Sequence, residues 1–250
     1  MCFDYESLPP IPVIAGAAVS HTDLELQSAD GTVFAAFAAL PDEPGSAGIV
    51  VLPDVRGLYR FYEELALRFA ERGYAAVAID YFGRTAGVAK RDDHFEYMEH
   101  VAQTTPAQIQ ADVAAAIAWL RSPDGGSCQT IFTVGFCFGG RNSWLAAASQ
   151  ELAGAIGFYG STGERNGQPG PVDLASSFRA PILALQAGDD GHITAEDNAA
   201  FDEALTAADV EHELVIYDGA PHSFFDRKYE EFAAAAEDAW QRVLGFIESH

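Results

Sequence analysis

Hydrophobic and polar positions follow two rhythms along this chain. Early on, HTDLELQSADGTVFAAFAAL (21–40) breaks at Asp30-Gly31 into two strand-like runs around a turn. From residue 48 the rhythm changes. GIVVLP (48–53) is a continuous apolar, β-branched run of the kind a parallel sheet buries on both faces. FYEELALRFAERG follows with Phe61, Leu65 and Phe69 at helical spacing and Gly73 at its end.

The alternation then repeats. YAAVAID (74–80) predicts a strand, and Thr105-Pro106 with Gln108 predicts a helix start with a capping box, carrying Ile109, Val113, Ile117 and Leu120 on one face. TIFTVGF (130–136) predicts a strand and RNSWLAAAS a helix. The runs AGAIGFY, PILALQA and HELVIY predict further strands, with helices near 195–207 and 229–248. Strands alternating with helices imply right-handed crossovers, hence an α/β fold with a mostly parallel, doubly wound sheet and helices on both faces. The chain reads as one domain over 1–250, with 1–20 as an extended, Pro-rich lead-in. Two stretches lack a clean period. GSTGERNGQPGPVDLASSFR (160–179) predicts a long surface loop, a lid or pocket wall. RTAGVAKRDDHFEYMEHVAQT (84–104) predicts a solvated helix.

Composition narrows the partners. Fourteen Lys and Arg against 37 Asp and Glu give a net charge of −23, which opposes a phosphate backbone or an anionic membrane surface. A self-repelling, soluble surface explains this balance. Adaptation to high salt is the sharper reading, since Lys90 and Lys228 are the only lysines. Acids precede the short apolar run of the first twenty residues, unlike a signal peptide, and no stretch of about 20 apolar residues exists to span a membrane. The expected location is the cytoplasm. Cys2, Cys128 and Cys137 are odd in number and lack CxxC or Cys/His ligand spacing, which argues against a disulfide framework or a structural zinc site. Oligomeric state is not legible here.

The candidate chemistry centres on GFCFGG (135–140), placed where a strand runs into a helix. A lone Cys near a strand end is commonly a small buried hydrophobe, and this motif does not fit the G-x-G-x-x-G of a dinucleotide site. It does fit the G-x-Ser-x-G nucleophile elbow with Cys for Ser: Gly135 and Gly139 remove side chains that would collide in so sharp a turn. The helix that follows favours a thiolate and offers N–H groups to an oxyanion. The required partners come in the required order. PILALQA ends in GDDGHIT, with Asp189 and Asp190 at its tip, and HELVIY ends in DGAPHSFFD, with His222. These placements point to a Cys137–His222–Asp190 triad. His192 is the alternative base, ranked as a pocket-edge residue.

These motifs, with VLPDVRGL and AIDYFGR, resemble the dienelactone hydrolases (carboxymethylenebutenolidases) of the α/β-hydrolase fold, from about residue 30 to the C-terminus. The resemblance implies an oxyanion hole from the backbone N–H groups of Val55 and Phe138. It implies a thiol-modulating carboxylate at Asp54, where the family usually has Glu, and a substrate-binding arginine at Arg84. The family's second arginine falls on Asp226 here. Either Arg227 or Arg56 substitutes, or the natural substrate is not the dienelactone carboxylate; Ser223 is a further substrate-binding candidate. Phe136, Phe138, Tyr81, Phe82 and Phe224 are expected near the pocket, Phe136 rather in the core. The expected function is cysteine-dependent opening of a small-molecule lactone or activated ester through an acyl-enzyme, requiring no metal or organic cofactor. A non-catalytic small-ligand binder and an acyltransferase are the alternatives.

Overall fold

The computed structural model describes residues 5–43 and 45–250; Cys2 lies outside them. The chain opens with the hairpin expected around Asp30-Gly31. Strand β1 (Val19–Gln27) pairs antiparallel with β2 (Val33–Pro41), and Gly31 makes the turn at φ +87°. Then β3 (Ala47–Leu52), helix α1 (Arg60–Ala70) and β4 (Ala75–Ile79) form the first crossover. Two short helices, α2 (Gly83–Ala86) and α3 (Tyr97–Gln103), precede α4 (Pro106–Arg121). Next come β5 (Thr130–Phe136), α5 (Phe138–Ala146), β6 (Gly154–Phe158) and the short α6 (Pro171–Leu174). The chain closes with β7 (Ile182–Asp189), α7 (Ala195–Ala207), β8 (His212–Pro221) and α8 (Ala233–Ser249).

The strands make one eight-stranded sheet in the order β1-β2-β4-β3-β5-β6-β7-β8. Only β2 is antiparallel to its neighbours; β4 through β8 run parallel. Both faces are covered, and the apolar run of β3 shows why. Ile49 and Val51 pack into one core with Phe61, Leu65 and Phe69 of α1 and Trp240 and Val243 of α8. Val50 and Leu52 point the other way, onto Ile109, Val113 and Leu120 of α4. A strand with no polar position can exist only between two such layers.

Because β3 sits between β4 and β5, the chain leaves β3 to one side, by way of α1 to β4. It then crosses to the other side through α4 to β5. The loops after β3 and β5 therefore part in opposite directions, which opens a crevice at the C-terminal edge of the sheet. That is where the candidate residues collect.

Two segments differ from the expectation. Residues 84–104 are two short helices joined by an irregular stretch. Gly87 (φ +72°) ends α2, and Arg91 then turns inward, its N–H to Leu58 O at 2.7 Å and its guanidinium to Asp80. A buried ion pair outcompetes continued helix there. Residues 160–179 are folded rather than open loop. Arg141 of α5 is 5% exposed and donates to the carbonyls of Ser161 (3.3 Å), Gly163, Gln168 (3.4 Å) and Pro169 (3.0 Å), so one guanidinium satisfies backbone that would otherwise need water. At α4 the expected capping box is present: Thr105 Oγ1 accepts from Gln108 N, and Gln108 Oε1 accepts from Thr105 N.

Candidate active site

The elbow is built from its glycines. A Cβ on Gly135 would lie 2.0 Å from Gly139 O, and one on Gly139 would lie 2.0 Å from Leu52 O. Strand β5, the first turn of α5 and the end of β3 meet so closely that no side chain fits between them. The residue between these glycines bears the strain. Cys137 has φ 55° and ψ −110°, outside the regions an L-residue prefers, a conformation costing on the order of 1–3 kcal/mol. It is held by Cys137 N–H donating to Phe158 O at 2.9 Å and by Cys137 O accepting from Arg141 N at 3.2 Å. Helix α5 thus starts immediately after the thiol, three residues earlier than the polar pattern implied, and Cys137 sits half-buried at its N-terminus.

The acid and the histidine are joined. His222 Nδ1 lies 2.6 Å from Asp190 Oδ2, and the Asp190 side chain is fully buried. Burial alone would raise the Asp190 pKa. The hydrogen bond and charge of His222, aided by the His192 N–H at 2.9 Å, more than offset that, so the carboxyl titrates below its ordinary range. Its neighbour Asp189 is exposed. His192 is exposed too, its ring 6.2 Å from that of His222. Strand β6 links Cys137 and His222: Phe158 O receives the Cys137 amide, and the next residue, Tyr159, puts its ring 4.9 Å from His222. Nothing in the sequence singled out Tyr159; its place at the end of β6 was the available signal.

Two backbone amides stand open beside the thiol's turn. Among the described residues, neither the Val55 N–H nor the Phe138 N–H donates a hydrogen bond. Phe138 opens α5, and Val55 follows the Leu52–Pro53 backbone that abuts Gly139. Tyr81 braces this junction, donating to Pro53 O at 2.8 Å while its ring meets Phe138 at 5.4 Å. Phe136 lies in the core, stacked on Phe158 at 4.5 Å. Phe82 and Phe224 are fully buried.

The charged candidates are engaged elsewhere. Asp54 is 0% exposed and accepts from Arg56 Nη2 (3.0 Å), Arg56 Nε (3.3 Å) and Tyr59 OH (2.9 Å). Arg56 lies between the rings of Tyr5 and Tyr59, 4.9 and 4.7 Å from their centres. Arg84 forms a two-pronged pair with the buried Asp112 (2.7 and 2.9 Å) and reaches Asp30 (2.8 Å). Arg227 is exposed and donates to Pro9 O. Asp226 is buried and accepts from Ser7 OH at 2.6 Å and Lys228 N at 3.0 Å. Ser223 is buried at φ +67°, and its Oγ has no hydrogen-bond partner among the described residues. Tyr5, Tyr59 and Asp112 went unnoticed in the sequence, because their roles depend on long-range pairing. Among the described residues no three His, Cys, Asp or Glu side chains gather as around a metal ion, and no helix is long and apolar enough to cross a membrane.

Comparison with known proteins agrees with this architecture. Residues 34–250 match the model of the dienelactone hydrolase family. A protein of Escherichia coli K12 provisionally named carboxymethylenebutenolidase is 30% identical over 94% of this chain and 94% of its own length. The crystal structure of a provisionally named dienelactone hydrolase from Klebsiella pneumoniae superposes with a TM-score of 0.82 at 30% identity, covering 93% of this chain and all of that one. An esterase of Pyrococcus furiosus, at 14% identity and a TM-score of 0.68, shares the fold. Sheet order, elbow and family match converge: the chain belongs to the dienelactone hydrolase family and is an ester/lactone hydrolase of the α/β-hydrolase fold.

Proposed function

We propose that the protein opens small lactones or activated esters with Cys137 as nucleophile, through an acyl-enzyme. The observation that carries this is the strained, half-buried Cys137 at the start of α5 on the same sheet edge as the Asp190–His222 pair. With Nδ1 held by Asp190, His222 takes the thiol proton at Nε2. The Cys137 sulfur attacks the carbonyl carbon, and the N–H groups of Val55 and Phe138 receive the oxyanion. Collapse breaks the acyl–oxygen bond, and His222 returns the proton to the leaving oxygen. For a lactone that oxygen stays tethered to the acyl group. Water, deprotonated by His222, then cleaves the thioester and restores the thiol. A thiolate suits such substrates because their leaving group is stabilised; an amide nitrogen is much harder to expel. Asp54, with both oxygens occupied by Arg56 and Tyr59, acts in this reading as a shaper of the loop carrying Val55.

The test is hydrolysis of p-nitrophenyl acetate and a small panel of dienelactones by wild type and Cys137→Ala, with iodoacetamide titration. We expect the variant to lose roughly 10³-fold or more in kcat/KM, and one thiol to be alkylated fast. Cys128 is fully buried and serves as the slow internal reference. A variant as active as wild type overturns the assignment and makes a ligand-binding role the leading one.

A further inference from the structure

We propose that the site takes an uncharged ester or lactone and rejects acyl groups bearing a carboxylate, an inference that rests on the hydrolytic reading above. It follows from where the positive charge around the crevice has gone. Arg56 follows Pro53, whose carbonyl backs the elbow, and its guanidinium is matched by Asp54 on one edge and enclosed by two tyrosine rings. On the loop after β4, Arg91 is paired with Asp80 at 2.7 and 3.1 Å. Arg84 is paired with Asp112 and Asp30. On α5, Arg141 spends its fork on backbone carbonyls. Three of these arginines are paired with carboxylates, and Arg141 has its guanidinium N–H groups taken by carbonyls.

The position four residues after His222 adds no cation either: Asp226 is 4% exposed and accepts from Ser7 OH and a backbone N–H, with no Arg or Lys side chain in contact among the described residues. Arg165, Arg227 and Lys228 are exposed, where an ion pair contributes little. A carboxylate drawn into this crevice would lose water and find no buried guanidinium with its N–H groups free to receive it. The net charge of −23 adds long-range repulsion. A neutral acyl group meets none of these costs, and the half-buried Phe138 ring at the start of α5 offers it apolar surface.

The experiment compares p-nitrophenyl glutarate with its methyl ester, which differ by one charge and one methyl group. Rates are measured at 1 M KCl, where a screening length of about 3 Å removes the general field of the molecule. The uncatalysed rate is subtracted from each. We expect the methyl ester to be favoured at least about tenfold by wild type. In Asp54→Asn, Arg56 loses its counter-charge, and the preference should move toward the anion by about fivefold or more. This ratio is internal to one preparation, so partial unfolding cancels. A wild-type ratio near one, or favouring the anion, overturns the proposal while leaving the hydrolase intact. An unchanged ratio in Asp54→Asn overturns the part assigned to Asp54. If neither ester is cleaved faster than by Cys137→Ala, the nucleophile assignment fails first and takes this proposal with it.

Discussion

Asp190 carries the most chemistry for its size. In the proposed mechanism its buried carboxylate keeps His222 in the tautomer with Nδ1–H, and without it the ring presents the wrong nitrogen to the thiol. Asp190→Asn should lower kcat/KM by roughly 10²–10⁴-fold while Cys137 still alkylates. The same residue gives a signed pH dependence. Its folded pKa lies below the ordinary 3.8, so its stabilisation is complete above that value and is lost as pH falls through the depressed one. The difference in Tm between wild type and Asp190→Asn, followed from pH 5 to 3, should shrink below about pH 4. A difference that grows over that range refutes the pairing. The strained turn at Cys137 and the pairing of Asp190 with His222 were legible in the sequence, because glycines flank the one and both of the others close strand-end segments. The mutual occupation of Asp54 and Arg56 was not, since it depends on side-chain reach within the turn.

Among the elements, α2 shows how a residue can be found and its environment missed. Arg84 stands where a substrate-binding arginine is implied, yet its guanidinium locks the β1–β2 turn, through Asp30, to α4, through Asp112 and its partner Ser28. Burial pushes the Asp112 carboxyl up, and Arg84 is the charge that offsets it. Removing one partner of a buried pair strands the other. Arg84→Ala should cost about 3–5 kcal/mol in urea unfolding and leave KM for a neutral ester within about twofold. A large rise in KM with unchanged stability would return Arg84 to the substrate. Strands β3, β4 and β5 were read nearly to the residue, because a run buried on both faces has no polar interruption to blur it. The start of α5 was missed by three residues, since Phe138-Gly139-Gly140 has poor helix propensity and is helical only because the elbow forces it.

At the scale of the whole molecule the net charge of −23 acts on stability as well as on substrates. Self-repulsion is relieved by salt, so Tm should rise as KCl goes from 0.05 to 1 M; a flat or falling curve argues against both charge repulsion and adaptation to high salt. The sequence alone determined the alternation of strands and helices, the doubly wound sheet, the elbow and the order of its partners. Each of these follows from local period, from glycine's lack of a side chain, or from chemistry that tolerates few residue types. Only the tertiary structure decided where the charges went. Arg56, Arg84, Arg91 and Arg141 look alike in one dimension. Burial at the meeting of distant segments forces each to find its partner there, three of them carboxylates and the last the carbonyls of a folded loop.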